Sequence, residues 1–170
     1  MEAHRLNLAR WELEAAHDEL RSLLANVAAG VYRKALHNLY FAAFHAVRAH
    51  LAAKGIETRT HNAVQMAFSL HFVKPGAVSK GSAKALSELQ AARERADYQV
   101  ELSYDEQDVR RFVALADPLM DELLRLAKEI RGLRATSVAA SWREVAGRRK
   151  KRAAVRQGGE QSSRRGRPRA

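Results

Sequence analysis

Cysteine is absent from the 170-residue chain, which excludes disulfides and thiolate metal sites and fits a reducing compartment. No apolar run approaches the ~18 residues that a membrane span requires. Near the N-terminus Glu2, His4 and Arg5 precede an amphipathic segment, with no secretory apolar core. The expectation is a soluble, cytoplasmic protein with no membrane contact. Also missing are a glycine-rich phosphate loop, a nucleophile elbow and a histidine pair at metal spacing beside a carboxylate ligand. His37 and His45 stand two helical turns apart, over ~12 Å of rise, too far to share one ion by themselves. No metal and no cofactor are expected.

What is present is helical periodicity. From Tyr32 to Leu51 there is neither glycine nor proline, and Leu36, Leu39, Ala43, Val47 and Leu51 recur at three- and four-residue steps. A second stripe on the same helix, His37, Phe41, His45 and Arg48, shares another face. Polar tips there need partners within the protein or a ligand outside it. Both readings stand at this point: satisfied side chains at a helix–helix contact, or a binding face.

Other helices follow from the same spacing. The first covers about 6–28, stops at Gly30, and forms an antiparallel hairpin with the second because the connection is so short. The second stops at Lys54-Gly55, and Thr58 or Thr60 caps a third that runs to about Phe72. Pro75-Gly76 marks a loop. A fourth helix covers about 82–100, and Ser103 with Glu106 fits a capping box for a fifth. Pro118 inside the fifth predicts a kink near 114–117. After Gly132 the pattern dissolves, although Ser141-Trp142-Arg143-Glu144 can cap one short turn, with Trp142 docked or awaiting a partner. No segment alternates with period two long enough for a strand. The fold class is all-α, an antiparallel bundle of about five helices over 1–130, followed by a basic and largely disordered tail over 131–170.

Charge divides at the same place. The first 130 residues hold 17 Lys+Arg and 17 Asp+Glu, whereas the last forty hold 13 against 2. The net charge of +11 therefore belongs to the tail, and such arms commonly meet nucleic acid. Arg148, Arg149, Lys150, Lys151 and Arg152 form one cationic block. Arg165-Gly166-Arg167-Pro168 looks like the core of an AT-hook, in which glycine lets the backbone sink into a narrow minor groove between arginines. The competing reading is a polyelectrolyte arm that holds RNA or DNA through phosphates alone.

The run Val31–Ala49, then Lys54-Gly55, Thr60-His61, His71-Phe72-Val73-Lys74 and Arg93-Glu94-Arg95-Ala96-Asp97-Tyr98, together resemble the HEPN domain, most nearly its UPF0332 branch. The likeness covers roughly 8–128. It implies a small helical bundle, commonly a homodimer, often encoded beside a minimal nucleotidyltransferase in prokaryotic toxin–antitoxin or defence modules. Many HEPN domains are metal-independent endoribonucleases that carry an arginine, four to six other residues, then a histidine. The histidine serves as base or acid and the arginine opposes charge building on phosphorus.

Here the pattern departs. Arg93 occupies the position of the family arginine, yet no histidine follows in the window, where Asp97 and Tyr98 stand instead. Arg93 and Asp97, four apart, can pair, and a carboxylate so paired is a poor proton donor. Tyr98 is a weak base. Arg10 and His17 match the spacing only on the first helix, away from the family site. His45, with Arg48 one turn on, is the candidate stand-in if the fourth helix packs on the second. Should cleavage occur, Arg93, Asp97, Tyr98 and His45 are its candidate residues, and Arg48 joins the tail cations as a nucleic-acid contact. The expectation is binding to RNA, DNA or both, in the cytoplasm or at the nucleoid, with cleavage or a DNA-tethered adaptor role as alternatives.

Overall fold

The computed structural model describes residues 2–147. These form six α-helices and no strand. Helix α1, Glu2–Ala28, buries Ala9, Leu13, Ala16, Leu20 and Leu23. It ends where Gly30 adopts φ 71° and Val31 N–H donates to the carbonyl of Asn26 at 2.8 Å. That turn requires a left-handed residue, which glycine supplies without a Cβ clash.

Helix α2, Tyr32–Ala53, returns antiparallel along α1 and occupies the centre, in contact with α1, α3, α4 and α5. Its expected stripe of Leu36, Leu39, Ala43, Val47 and Leu51 is buried, and so are Ala35, Ala42, Ala46 and Ala49. Alanines on that many faces let neighbouring helices approach α2 closely, while the face of His37, Phe41, His45 and Arg48 stays partly exposed.

Helix α3 spans His61–Phe68, with the Thr60 hydroxyl accepting from Ala63 N–H at 3.1 Å. It continues as a π-helical stretch, Ser69–Val73, so the helical path does reach Phe72 but in a wider winding. Helix α4, Lys80–Tyr98, begins two residues before the expected Ser82, because Ser79 serves as its cap. Glu122 of the next helix accepts from Ser79 N–H and from the Ser82 hydroxyl, placing a carboxylate at the α4 N-terminus.

Helix α5, Glu106–Glu129, is continuous across Pro118. The capping box is Asp105 with Asp108 rather than Ser103 with Glu106: Asp105 accepts from Asp108 N–H at 2.9 Å and Asp108 accepts from Asp105 N–H at 3.2 Å. Ser103 and Tyr104 stay outside the helix because Arg33 holds the strand of chain just before them. Its guanidinium donates to the carbonyl of Leu102 and lies 5.6 Å from the Tyr104 ring centre.

Residues 136–145, placed in the tail by their pattern, form a sixth helix, α6 (Thr136–Val145), which packs on α1. Trp142 is buried, and its indole N–H donates to Asp117 at 3.0 Å. Of the two fates open to Trp142, docking on the bundle is the one observed. None of the helices is long and apolar enough to cross a membrane among the described residues. The expected disorder of the far tail, the block Arg148–Arg152 and Arg165-Gly166-Arg167-Pro168 lie outside the described residues.

Candidate functional site

The polar face of α2 is held by two carboxylates that do parallel work. Asp97, near the end of α4, accepts from His37 Nδ1 at 3.1 and 3.2 Å and pairs with Arg93 Nε at 2.7 Å. The Arg93 contact is an ion pair whose N–H is not aligned for a hydrogen bond. On α1, Glu12 pairs with His45 Nδ1 at 2.7 Å and with Arg48 at 3.0 Å. Each carboxylate thus holds one histidine and one arginine. Between them lies Phe41, whose ring centre is 4.7 Å from that of His37, 6.2 Å from that of His45 and 5.3 Å from the Arg93 guanidinium carbon.

A third histidine completes the cluster. His61 is the first residue of α3, fixed there by the Thr60 cap. Its ring centre is 4.7 Å from Phe44 and 5.8 Å from Phe41, and its Nδ1 is 2.6 Å from the Tyr40 hydroxyl. Burial pushes the Tyr40 phenol up from its usual range, with Arg93 pulling it down and Glu94 adding to the rise. A neutral phenol both donates and accepts: its proton goes to a bare Nδ1, or Nδ1–H donates to the hydroxyl, whose own proton then turns to Gln90 Oε1 at 3.4 Å. Burial is also the main cause that lowers His61, reinforced by Arg93 and Arg48 and opposed by Glu94. A chain of amides continues the network: Gln65 donates to Gln90 at 2.6 Å, and Gln90 donates to Glu94 at 2.8 Å.

The structure brings Arg93 and Asp97 together as the four-residue spacing implies. It does not give His45 to Asp97. The rotation of α2 turns His45 toward α1 and its Glu12, and His37, two turns earlier, takes Asp97. Tyr98, one residue on, faces outward and is 75% exposed. Arg48 is at the site, tethered by Glu12 and 5.8 Å from the Phe44 ring centre. Arg10 and His17 are engaged elsewhere, Arg10 with the Gly132 carbonyl at 3.0 Å and His17 with Ser141 at 3.0 Å. The five tail cations from Arg148 to Lys151 and Arg152, and the Arg165–Pro168 motif, lie outside the described residues.

Sequence reasoning passed over Glu12, Tyr40 and Arg33, and gave His61 no partner. Arg33, one turn before His37, donates to the carbonyls of Ala96, Gln99, Val100 and Leu102. It thereby fastens to α2 the end of α4 that carries Asp97. The one available signal was Thr60-His61, a cap followed at once by a histidine on the first turn. No three His, Asp or Glu side chains converge as metal ligands among the described residues.

The family model for the HEPN domain matches residues 9–131. The chain belongs to the HEPN domain family. Among HEPN relatives, it is 29% identical to a UPF0332 protein of Thermotoga maritima over 67% of this chain and 84% of that one. A UPF0332 protein of Pyrococcus horikoshii is 28% identical over 78% of each chain. A Methanocaldococcus jannaschii protein named "putative toxin" is 25% identical over 69% of this chain and 87% of its own. The HEPN match closes just after α5, so α6 lies outside the matched span.

Proposed function

We propose that this HEPN protein binds nucleic acid as a component of a prokaryotic toxin–antitoxin or defence module, acting with a minimal nucleotidyltransferase. One observation carries the reading: Arg93, Arg48 and His61, from three helices, pack around the partly buried Phe41 and the buried Phe44, which sets cations at the surface where a phosphate chain can meet them. The similarity to a protein named as a toxin supports the module. The homodimer remains part of the proposal and is read by sedimentation.

The test is titration of the full chain with labelled single-stranded RNA and A·T-rich duplex DNA. Arg93→Gln is expected to weaken RNA binding about tenfold, the worth of one charge-assisted contact. Equal affinity would remove Arg93 from the interface. On the duplex, a hook prefers A·T-rich sequence and loses that preference with Gly166→Ala, whereas a polyelectrolyte arm shows none.

A second reading, metal-independent RNA cleavage, is favoured by a specific feature: α3 brings His61 beside the family arginine although the local window lacks a histidine. His45, paired with Glu12, is a weaker candidate on this geometry. Cleavage in the presence of a chelator, lost with Arg93→Gln, is the outcome that would establish it.

A further inference from the structure

We propose that the groove between α5 and α6 docks an acidic amphipathic helix of a partner protein. This surface is separate from the polar face of α2, and it stands independently of the nucleic-acid reading above.

Helix α6 lies along α1 and touches α5 only lightly, so a groove of about 760 Å³ runs between α6 and the second half of α5. Small side chains keep it open. Ala127 on α5, with Ala139 and Ala140 on α6, line it where larger residues would close it. Leu124, Leu133 and Trp142 complete the floor, the last two buried and Leu124 partly exposed. A row of alanines beside leucines is a surface into which the side-chain ridge of another helix can pack. One wall is α6, which lies beyond the residues matched to the HEPN domain, so the groove is an addition to that domain.

The charge around the groove has one dominant sign. Four cations line it against one acid, Asp121. Arg125 is already engaged, by Glu129 and by the carbonyl of Ala77. Lys128, Arg134 and Arg143 are exposed and form no ion pair among the described residues. Arg134 stands two residues before α6 and Arg143 lies in its last turn. Positive charge is therefore spread along the ~15 Å of a ten-residue helix.

That spread selects the occupant. A fatty acid or other small anion has one charged end and answers only one end of the groove. A nucleic-acid strand repeats its charge, but its bases gain affinity by stacking on exposed rings. The one aromatic ring in the lining, Trp142, is 1% exposed, and its indole N–H is committed to Asp117. A helix with leucines at i, i+3, i+4 and i+7 and glutamates beside them satisfies both features. Its apolar stripe covers the floor while its carboxylates reach the cations at the two ends.

The experiment is an NMR titration of the full chain, at ~150 mM salt so that loose charge attraction is screened. The probes are synthetic peptides of about fourteen residues, four helical turns. The first carries the leucine stripe with glutamates elsewhere. A second has the same composition in scrambled order, and a third replaces glutamate by lysine. The first is expected to shift the amides of Ala127, Ala139 and Arg143 and the indole of Trp142, and to bind about tenfold more tightly than the other two. The double variant Arg134→Glu/Arg143→Glu changes two exposed side chains and leaves the packing alone. It is expected to lose about tenfold for the glutamate peptide and to prefer the lysine one. Equal binding of the scrambled peptide, an unchanged affinity in the double variant, shifts confined to residues after Gly147, or no shift at any groove resonance overturns the proposal. Groove resonances moved by single-stranded RNA or by phosphatidylglycerol vesicles, and not by the peptide, overturn the choice of a protein helix. RNA affinity of the unaltered chain tests the nucleic-acid reading separately, whichever way the peptides behave.

Discussion

His50 shows what burial does to a histidine when no ligand is in prospect. It is 1% exposed, and its Nδ1 donates to the Ala46 carbonyl at 2.8 Å. Burial holds its basicity below the ordinary value, with the carbonyls of Ala46 and Leu123 opposing. A base lowered in the folded state binds fewer protons there than in the unfolded chain. Its stabilising effect is therefore fully present above the unfolded value of about 6.5 and is lost as the pH falls from there toward the lowered folded value. His61 is shifted in the same direction. Denaturant midpoints are accordingly expected to fall between about pH 7.5 and pH 5, and His50→Leu to flatten part of that fall. An identical pH dependence in the variant would show that His50 plays no part. The histidines also mark how far the sequence could be read. Helical spacing placed His37, Phe41, His45 and Arg48 on one face, and they do share it. Which carboxylate each one meets depends on how α1 and α4 are rotated about their axes, and spacing within α2 carries no information about that. Glu12, on α1, therefore stayed invisible as the partner of both His45 and Arg48.

At the scale of elements, the apolar stripe of α2, the short hairpin from α1 and a threonine cap at 58 or 60 were legible, since each depends on residues within one or two turns; the structure chooses Thr60. Competing local signals were harder. Ser103/Glu106 fits the capping pattern, whereas Asp105/Asp108 lacks its Glu or Gln yet forms the box; Arg33 meanwhile holds the Leu102 carbonyl and leaves Ser103 in the linker. The same side chain binds the carbonyls that end α4. One planar guanidinium spans all four, a geometry that an ammonium on a flexible stem does not reproduce. Arg33→Ala is expected to cost about 1–3 kcal/mol and to speed amide hydrogen exchange at Gln99 and Leu102. Arg33→Lys is expected to recover only part of the protection. Unchanged exchange at both amides in Arg33→Ala would mean that the α4 end and its Asp97 are held by other contacts.

At the scale of the molecule, the boundary between body and tail decides how nucleic-acid binding should be dissected. Composition drew it at about 130, where the helical stripe of α5 runs out and cations begin to dominate. Helix α6 lies beyond that line because its apolar residues are sparse, with Val138 and Trp142 its only large ones fully buried. Ten residues with so thin a stripe do not announce a docked helix. The contacts that hold it are long-range: Trp142 to Asp117 on α5, and Ser141 to His17 on α1. Cutting after Ile130 removes a buried tryptophan along with the cations, and a loss comparable to Trp142→Ala, about 3–5 kcal/mol, should appear as a midpoint lower by roughly 10 °C. Cutting after Gly147 spares α6 and removes ten Lys+Arg against one Glu. That shorter chain is expected to melt with the full protein. If about six of the full chain's tail cations meet phosphates, the full chain should lose about two orders of magnitude more RNA affinity than the shortened chain between ~50 and ~200 mM salt. Equal salt slopes for the two chains would place the electrostatic grip on the helical body, and equal melting of the chains cut after Ile130 and after Gly147 would deny α6 its part in holding α1 to α5.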